Sequence, residues 1–251
     1  GQDTLIYNNA SSLSIAGLWN AANGTLTLTG TATVALYRTA LRNVSYRNTS
    51  DNPSSLIRIA SFNVSDGDSS SNTVSRNIRV IPVNDVPLLA KIEQIPLPYN
   101  EGSGAVQITN TITVSDPDNI NLSSANVAVI MGYQKGQDIL SCLPVSGINI
   151  AWEPETGVLR LTGNVALATF QAALRNVRYE NTSADPVVAT RIVTFIVNDG
   201  TGNSIPVSRS ITVGSVNNAP VLGNLETSPL LYTENEAARD ITDNITITDS
   251  D

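Results

Sequence analysis

Alternating apolar and polar residues run through most of the chain and predict strands. The stretch "AVQITNTITVSD" carries Val106, Ile108, Ile112 and Val114 on or near one face. A period of two places successive side chains on opposite faces of a strand. The same pattern predicts strands in "ANVAVIM", "INIAW", "VLRLTG", "TRIVTFIVNDG" and "VSRSITVGSV". Many short strands with turn residues between them are typical of a β-sandwich.

One segment departs from this pattern and predicts a helix. In "NVALATFQAALRNV", the apolar residues Leu167, Phe170 and Leu174 follow a spacing close to 3.6 residues. The segment is also rich in good helix formers, which the neighbouring strand-like stretches are not. A single short helix is therefore expected among the strands.

The chain repeats itself. The stretch "ALRNVSYRNTSDNP" from Ala40 matches "ALRNVRYENTSADP" from Ala173, at an offset of 133 residues. The offset holds along most of the chain, and only the "GQD" triplets at Gly1 and Gly136 differ, with an offset of 135. Self-similarity at a fixed period is the signature of tandem modules.

The repeat divides the chain into three predicted parts. Residues 1–86 are a partial module that lacks its first strands, 87–219 a complete module, and 220–251 the first strands of a third. We therefore predict an all-β fold of tandem Greek-key β-sandwich modules with a 133-residue repeat and one short helix per module.

Composition excludes several function classes. The net charge of −8 argues against nucleic-acid binding, which requires basic surfaces. With no histidine, the chain contains neither a Ser-His-Asp triad nor an imidazole metal site. We also predict that it is not an enzyme, because its possible acid pairs lie at the joints between modules and not in an identifiable cleft. No apolar run approaches the length of a membrane span. Cys142 is the single cysteine, which rules out an intrachain disulfide and predicts a small buried side chain.

Paired carboxylates mark the ends of two predicted strands. Asp116 and Asp118 flank Pro117, and the pair recurs as Asp249 and Asp251. Residues two apart in extended chain point to one face, so these carboxylates repel each other unless a cation joins them. Ca²⁺ takes six to eight oxygen ligands, largely carboxylates and carbonyls. The alternative is a solvated polar turn.

The order of short motifs resembles cadherin repeats. The segment "VNDGTGNSIPVSRSITVGSVNNAP" is similar to the closing part of a cadherin domain, and "YNE", "DPD" and "VRYE" match its acidic motifs. The portion "FQAALRNVRYENT" also looks like the repeats of chondroitin-sulfate-proteoglycan and Fras-type proteins. In overall style the chain most resembles the tandem cadherin-like modules of very large bacterial surface proteins.

The cadherin resemblance implies modules of cadherin- or immunoglobulin-like fold, with Ca²⁺ ligands at the two joints between them. The first joint would use Asn84, Asp85, Asp116, Asp118 and Asp199. The second joint would use Glu101, Glu180, Asn217, Asn218, Asp249 and Asp251.

The match to the family's pattern is incomplete. Pro82 and Ser215 stand where the cadherin linker begins with an aspartate, and Arg47 stands at the position of Glu180. We therefore expect the first joint to bind fewer ions, or to bind them more weakly. The repeated arginines Arg58 and Arg191 are expected on exposed strand faces or in local pairs.

These observations predict a structural or adhesive array outside the cell, stiffened by Ca²⁺. Its partners would be other copies of itself, another cell-surface protein or a glycan. A head-to-tail filament is a further expectation, in which residues 220–251 complete the partial module of a neighbouring copy and bring Asp249 and Asp251 near its Asp66. The alternative is a carbohydrate-binding or spacer segment of a larger secreted or surface enzyme.

Overall fold

A computed structural model describes residues 2–9 and 13–251. The chain separates into two compact units, unit 1 over Gly1–Asp85 and unit 2 over Val86–Asp251. Strands predominate in both units, and the two helices of the described residues are nine residues long each. Neither of these helices has the length and apolar character needed to span a membrane. The predicted all-β class is confirmed.

Unit 1 contains three antiparallel strand pairs and one helix within its described residues. The pairs are β1 with β4, β2 with β3, and β5 with β6. The elements are β1 (Asp3–Tyr7), β2 (Ala16–Asn20), β3 (Thr25–Thr29), α1 (Val34–Arg42), β4 (Val44–Asn48), β5 (Arg58–Phe62) and β6 (Val74–Ile78).

Unit 2 contains the remaining elements. Its strands before the helix are β7 (Leu88–Ala90), β8 (Leu97–Asn100), β9 (Val106–Gln107), β10 (Thr113–Ser115), β11 (Asn121–Met131), β12 (Asp138–Cys142), β13 (Asn149–Glu153) and β14 (Val158–Ala166). They are followed by α2 (Leu167–Arg175), β15 (Val177–Asn181), β16 (Thr190–Asn198), β17 (Val207–Gly214), β18 (Val221–Gly223) and β19 (Thr246–Thr248).

A two-sheet sandwich forms the body of unit 2. One sheet has the order β13-β14-β11-β16-β17-β8, and the other has the order β12-β15-β9. Neighbours in the larger sheet are often distant in the chain, as in Greek-key folds. Alternate residues of the central strands, such as Val127 on β11 and Phe195 on β16, are buried in one core. The alternating pattern therefore buries one face of each of these central strands.

The helix and most strands occur where the sequence predicts them, with one exception. The helix α2 buries Phe170 and Leu174, as the 3.6-residue spacing indicates. The stretch "AVQITNTITVSD" is not one strand, however, because it divides into β9 and β10. Between them, the Thr109 hydroxyl bonds the Glu93 carboxylate and accepts the amide of Ile112. Such side-chain bonds to the backbone interrupt a sheet ladder.

A charged network lies inside the sandwich of unit 2. The Arg191 side chain is fully buried and its Nε lies 3.2 Å from Asp138 Oδ2. Asp138 Oδ1 accepts hydrogen bonds from the Tyr179 hydroxyl at 2.6 Å and from Asn181 Nδ2 at 2.7 Å. The expectation that Arg191 is exposed or paired locally is wrong, because its partner comes from a strand 53 residues away. Burial of a charged side chain requires such a partner.

Unit 1 contains the corresponding network in a more open setting. Asp3 accepts hydrogen bonds from the Tyr46 hydroxyl and from Asn48, and pairs with Arg58 at 3.3 Å. Its side chain is 44% exposed, whereas that of Asp138 is fully buried. The hydrogen bonds from Tyr46 and Asn48 hold the pKa of the Asp3 carboxyl below its ordinary value. The same four residue types thus meet in both units.

Glu93 anchors the chain between β7 and β8. Burial acts to raise its pKa, but hydrogen bonds from the Thr109 hydroxyl and the Asn110 amide outweigh it and lower the pKa to about 2. Arg209 Nη1 lies 3.6 Å from the same carboxylate. The charged form of Glu93 is therefore favoured by folding.

We expect this interaction to make stability depend on pH. A depressed folded-state pKa contributes stability above the ordinary value of 4.5, and this stability is lost as the pH falls toward about 2. Glu93→Gln should therefore be less stable than the native chain at pH 7, with the gap closing between pH 5 and pH 2. Urea unfolding at a series of pH values measures the gap. A gap that stays constant over this range would contradict the assignment.

Candidate metal-binding joint

The position of Glu101 is fixed by the parallel pairing of β8 with β17. It directly follows β8, which runs parallel to β17 with Tyr99 opposite Val213. Its backbone amide donates to the carbonyl of Gly214, at 3.0 Å, where β17 ends. The carboxylate of Glu101 consequently lies beside the linker that leaves β17.

Three residues from separate predicted segments meet at this linker. Glu101 Oε1 accepts Nδ2 of Asn218 at 2.7 Å, and Oε2 accepts the amide of Val216 at 3.1 Å. Asp251 Oδ2 accepts the backbone amide of the same Asn218 at 2.8 Å. The carbonyl of Ala184 also lies 3.2 Å from Asn218 Nδ2. Carboxylates from both sides of the linker and a main-chain carbonyl thus surround Asn218.

The other residues predicted for this joint lie in the linker, on β15 and directly after β19. Asn217 Nδ2 donates to the carbonyl of Asn218 at 2.9 Å. Glu180 lies on β15 between Tyr179 and Asn181, and Asp249 directly follows β19 and is exposed. The geometry brings Glu101, Asn218 and Asp251 into contact through hydrogen bonds, and places Asn217 next to them in the chain.

The linker of the predicted first joint contains the same side-chain hydrogen bond as that of the second. Asn84 Nδ2 donates to the carbonyl of Asp85 at 2.8 Å, as Asn217 does to Asn218. These two residues belong to unit 1, whereas the other predicted ligands of this joint belong to unit 2. The same Asn side-chain bond to the next carbonyl thus recurs in both linkers.

Asp116 has one satisfied and one unsatisfied oxygen. Its Oδ1 accepts the amides of Asp118 at 3.1 Å and Asn119 at 2.8 Å, which forms a tight turn after β10. Its Oδ2 is buried and, within the described residues, has no hydrogen-bond partner. Burial and the neighbouring Asp118 carboxylate together raise the pKa of Asp116. A cation would satisfy this oxygen, and a carboxylate oxygen is a type of ligand that Ca²⁺ takes.

The Asp-Gly loops of the two units share one conformation. Asp199 Oδ1 accepts the amides of Thr201 at 2.6 Å and Gly202 at 2.7 Å. Asp66 Oδ1 accepts those of Asp68 at 3.0 Å and Ser69 at 2.8 Å, and these amides lower the pKa of Asp66. Each aspartate therefore has one oxygen committed to its own turn.

No group of three or more carboxylate, imidazole or thiol side chains gathers as a metal site within residues 2–9 and 13–251. The pairs that do form, around Asn218 and at Asp116, each supply only part of a Ca²⁺ coordination shell. The complete ligand sets of both joints stay predictions.

Sequence reasoning missed two contributors to the second joint. The Ala184 carbonyl is a main-chain atom, and no residue type could have identified it. The Tyr99 hydroxyl donates to the carbonyl of Asn181 at 3.1 Å and accepts its amide at 3.0 Å, which ties β8 to the end of β15. The recurrence of Tyr99 as Tyr232 was the available signal for this role.

Comparisons with known proteins find sequence similarity over part of the chain. No protein-family model matches the chain. Halomucin of Haloquadratum walsbyi is 30% identical over 112 residues, which is 43% of this chain and 1% of halomucin. The chain therefore spans a very small part of that relative.

Solved structures that are similar to the chain include cadherin domains. Protocadherin gamma B2 extracellular cadherin domains 1–5 matches with a TM-score of 0.31 and 15% identity, covering 89% of this chain and 34% of that one. The human CDH23 EC21-23 structure matches with a TM-score of 0.30 and 14% identity, covering 94% and 65%. The all-β sandwich assignment rests on the strand pairings described above.

Proposed function

We propose that this chain is a segment of an extracellular or cell-surface array with a structural or adhesive role, stiffened by Ca²⁺ at the joints between modules. The contact of Glu101 and Asp251 with the linker residue Asn218 carries the proposal. Inter-domain contacts are small and permit motion by default, so a stiff array requires something that fixes each joint. The partial likeness to halomucin supports a surface location.

Ca²⁺ would fix the second joint by binding oxygen atoms on both sides of the linker. Glu101 and Asp251 would supply carboxylates, and the side-chain oxygens of Asn217 and Asn218, together with Glu180 and Asp249, would complete the shell. A bound Ca²⁺ ion supplies a fixed positive charge that several oxygens can share. The residues would then hold the linker in one geometry, because Glu101 is already anchored to the end of β17.

At the first joint, Asp116 is the residue with a buried carboxylate oxygen that a cation would bind. Its buried Oδ2 would be a ligand, alongside Asp118 and Asp199, with Asn84 and Asp85 from the preceding linker. The alternative of a carbohydrate-binding module gains no support from the aromatic residues. Trp152 packs edge-on against Tyr133, with ring centroids 6.2 Å apart, and lies against the core.

Isothermal titration calorimetry tests the second joint. We expect Ca²⁺ to bind the native chain, and Glu101→Gln to weaken the tightest binding by about ten-fold or more, which corresponds to about 1.4 kcal/mol. Glu155→Gln is the matched control, because Glu155 is exposed and its ion pair with Lys135 lies on the surface. Equal Ca²⁺ affinity in both variants and the native chain would overturn the assignment of Glu101.

The proposed array also associates with copies of itself, either along one axis or between neighbouring arrays. A filament formed head-to-tail is one such arrangement, because an exposed apolar surface in one module can be covered by strands from another chain.

A further inference from the structure

Eight Asn-x-Ser/Thr triplets occur in the chain. Such triplets accept N-linked glycans in secreted proteins when they lie on the surface. The glycan is joined to the side-chain nitrogen, so a usable asparagine must be exposed and must have this nitrogen free. The eight asparagines are Asn9, Asn23, Asn43, Asn48, Asn63, Asn121, Asn181 and Asn244.

Four of these asparagines already use the side-chain nitrogen as a donor. Nδ2 of Asn9, Asn48, Asn181 and Asn244 each donates to an oxygen atom at 2.6–2.9 Å. Asn181 is moreover only 3% exposed, inside the charged network of unit 2. A glycan on any of the four would require the loss of an existing hydrogen bond.

Three further triplets lie in regular structure. Asn43 is half-buried at the end of α1, and Asn121 is half-buried at the start of β11. The Ser123 hydroxyl of the second of these triplets is bound to the end of β16. Asn63 is exposed, but its counterpart in the complete module is Ile196, which lies within β16 and is paired with β11.

Asn23 differs from all of these. It is exposed in the turn between β2 and β3, and Thr25, the third residue of its triplet, is exposed as well. Asn23 Oδ1 accepts the amide of Thr25 at 3.2 Å, which is a side-chain turn typical of asparagine. This bond uses the oxygen atom of the side chain, and among residues 2–9 and 13–251 no acceptor is bound to its nitrogen.

The complete module indicates that this turn is a surface turn in a whole sandwich. At the repeat offset, Asn23 corresponds to Thr156, in the turn between β13 and β14, and Thr156 is exposed. The side chain of Glu155 next to it is 74% exposed. The exposure of Asn23 therefore agrees with that of the same turn in the complete sandwich. We propose that Asn23 is an N-glycosylation site.

The modification is a group transfer without oxidation or reduction. Nδ2 of Asn23 forms a bond to the anomeric carbon of a glycan that is carried on a polyprenyl diphosphate. The bond between that carbon and the phosphate oxygen breaks, and the diphosphate leaves with the electron pair. A base of the transferase takes one Nδ2 proton. The Thr25 hydroxyl supplies the third position that the triplet requires.

The charges around β13 suggest what such a glycan would do. This strand is the last of the larger sheet in unit 2. Two ion pairs lie at its hairpin, Glu153 with Arg160 and Glu155 with Lys135. Charged side chains at the edge of a sheet oppose pairing with a strand of another molecule.

The corresponding hairpin of unit 1 has no such protection. Asn20, Ala22 and Thr27 stand at the positions of the two glutamates and the arginine, and the stretch from β2 to β3 contains no charged residue. Leu18 on β2 is 73% exposed, where β13 carries the smaller Ala151. A bulky, polar glycan at the tip of this hairpin would oppose edge pairing in place of the missing charges.

Mass spectrometry tests the site, on the folded 251-residue chain made without N-linked glycans. The chain is incubated with an oligosaccharyltransferase and polyprenyl-diphosphate-linked chitobiose, and fragmentation measures the occupancy of each asparagine. We expect Asn23 to be modified more than Asn121, and the modification at residue 23 to be lost in Asn23→Gln and Thr25→Val. Thr25→Ser keeps the hydroxyl and should keep the glycan, and Asn121→Gln is the matched control that should leave Asn23 modified.

Two results would overturn the site. One is an occupancy of Asn23 that does not exceed that of the half-buried Asn121. The other is an unmodified Asn23 in the protein isolated from the cells that make it. Neither result bears on Ca²⁺ binding, because Asn23 is outside both predicted ligand sets.

Light scattering tests the role of the glycan at the edge. We expect the glycosylated chain to aggregate several-fold more slowly than the unmodified chain, and Asn23→Gln after the same treatment to aggregate as the unmodified chain does. Asn20→Glu with Thr27→Arg restores the charges found on unit 2, so it should slow the aggregation of the unmodified chain. Equal aggregation of the glycosylated and unmodified chains would overturn the protective role.

Discussion

Arg191→Met should destabilise unit 2 by about 3–5 kcal/mol, because it leaves the Asp138 carboxylate buried without its cation. The two side chains have no exposed surface, so water cannot replace the lost partner. Arg191 also donates to the carbonyls of Val187 at 2.7 Å and Ala189 at 2.9 Å, and methionine cannot make these bonds. The substitution therefore removes one hydrogen bond from each of three acceptors, while Asp138 Oδ2 keeps the amide of Gln134 at 2.7 Å.

Urea unfolding followed by tryptophan fluorescence measures this effect. The chain has two tryptophans, Trp19 in unit 1 and Trp152 in unit 2, so a Trp19→Phe background reports unit 2 alone. Arg160→Met is the matched control, because Arg160 pairs with Glu153 on the surface, where such pairs contribute little to stability. Similar losses in the two variants would contradict a structural role for the buried network.

Ca²⁺ should raise the thermal stability of the chain, and Asp116→Asn should reduce that gain. A ligand that binds only the folded state stabilises it by about 2.7 kcal/mol at a free concentration of about one hundred times its Kd. Asparagine can keep the two amide bonds that Asp116 Oδ1 accepts, but it removes the charge that a cation would bind. The turn after β10 is therefore preserved while the proposed ligand is lost.

Differential scanning calorimetry in chelator and in Ca²⁺ checks this prediction. Asp240→Asn is the control, since Asp240 is exposed and outside both predicted ligand sets. We expect the Ca²⁺-dependent shift in melting temperature to be smaller in Asp116→Asn and unchanged in Asp240→Asn. Identical melting of the native chain in chelator and in Ca²⁺ would contradict Ca²⁺ binding at either joint.

Hydrophobic periodicity was sufficient to predict most of the fold. Strand β11 and helix α2 follow directly from periods of 2 and 3.6 residues, because one face of each must be buried. The division of "AVQITNTITVSD" was not predictable in the same way. It depends on Thr109, whose hydroxyl bonds a glutamate 16 residues away, and periodicity carries no information about such a contact.

The buried network was missed because charged residues are rarely buried, which favoured an exposed position for Arg191. The signal was present, since the Asp and Arg recur together as Asp3 with Arg58 and Asp138 with Arg191. However, the offset between the two aspartates differs by two residues from the offset between the two arginines. The alignment of the repeats therefore did not show that they pair. At the joint, the order of motifs predicted Glu101, Asn218 and Asp251, but not the carbonyl of Ala184.

Small-angle X-ray scattering during a Ca²⁺ titration tests the stiffened array most directly. It is done at a concentration where the chain is monomeric, on the native chain and on Glu101→Gln. We predict that Ca²⁺ lengthens the native particle and narrows its distribution of sizes, since ligands from both sides of a linker would be held together, and that Glu101→Gln responds less. Scattering curves of the native chain that superpose with and without Ca²⁺, at concentrations where calorimetry shows the ion bound, would contradict it.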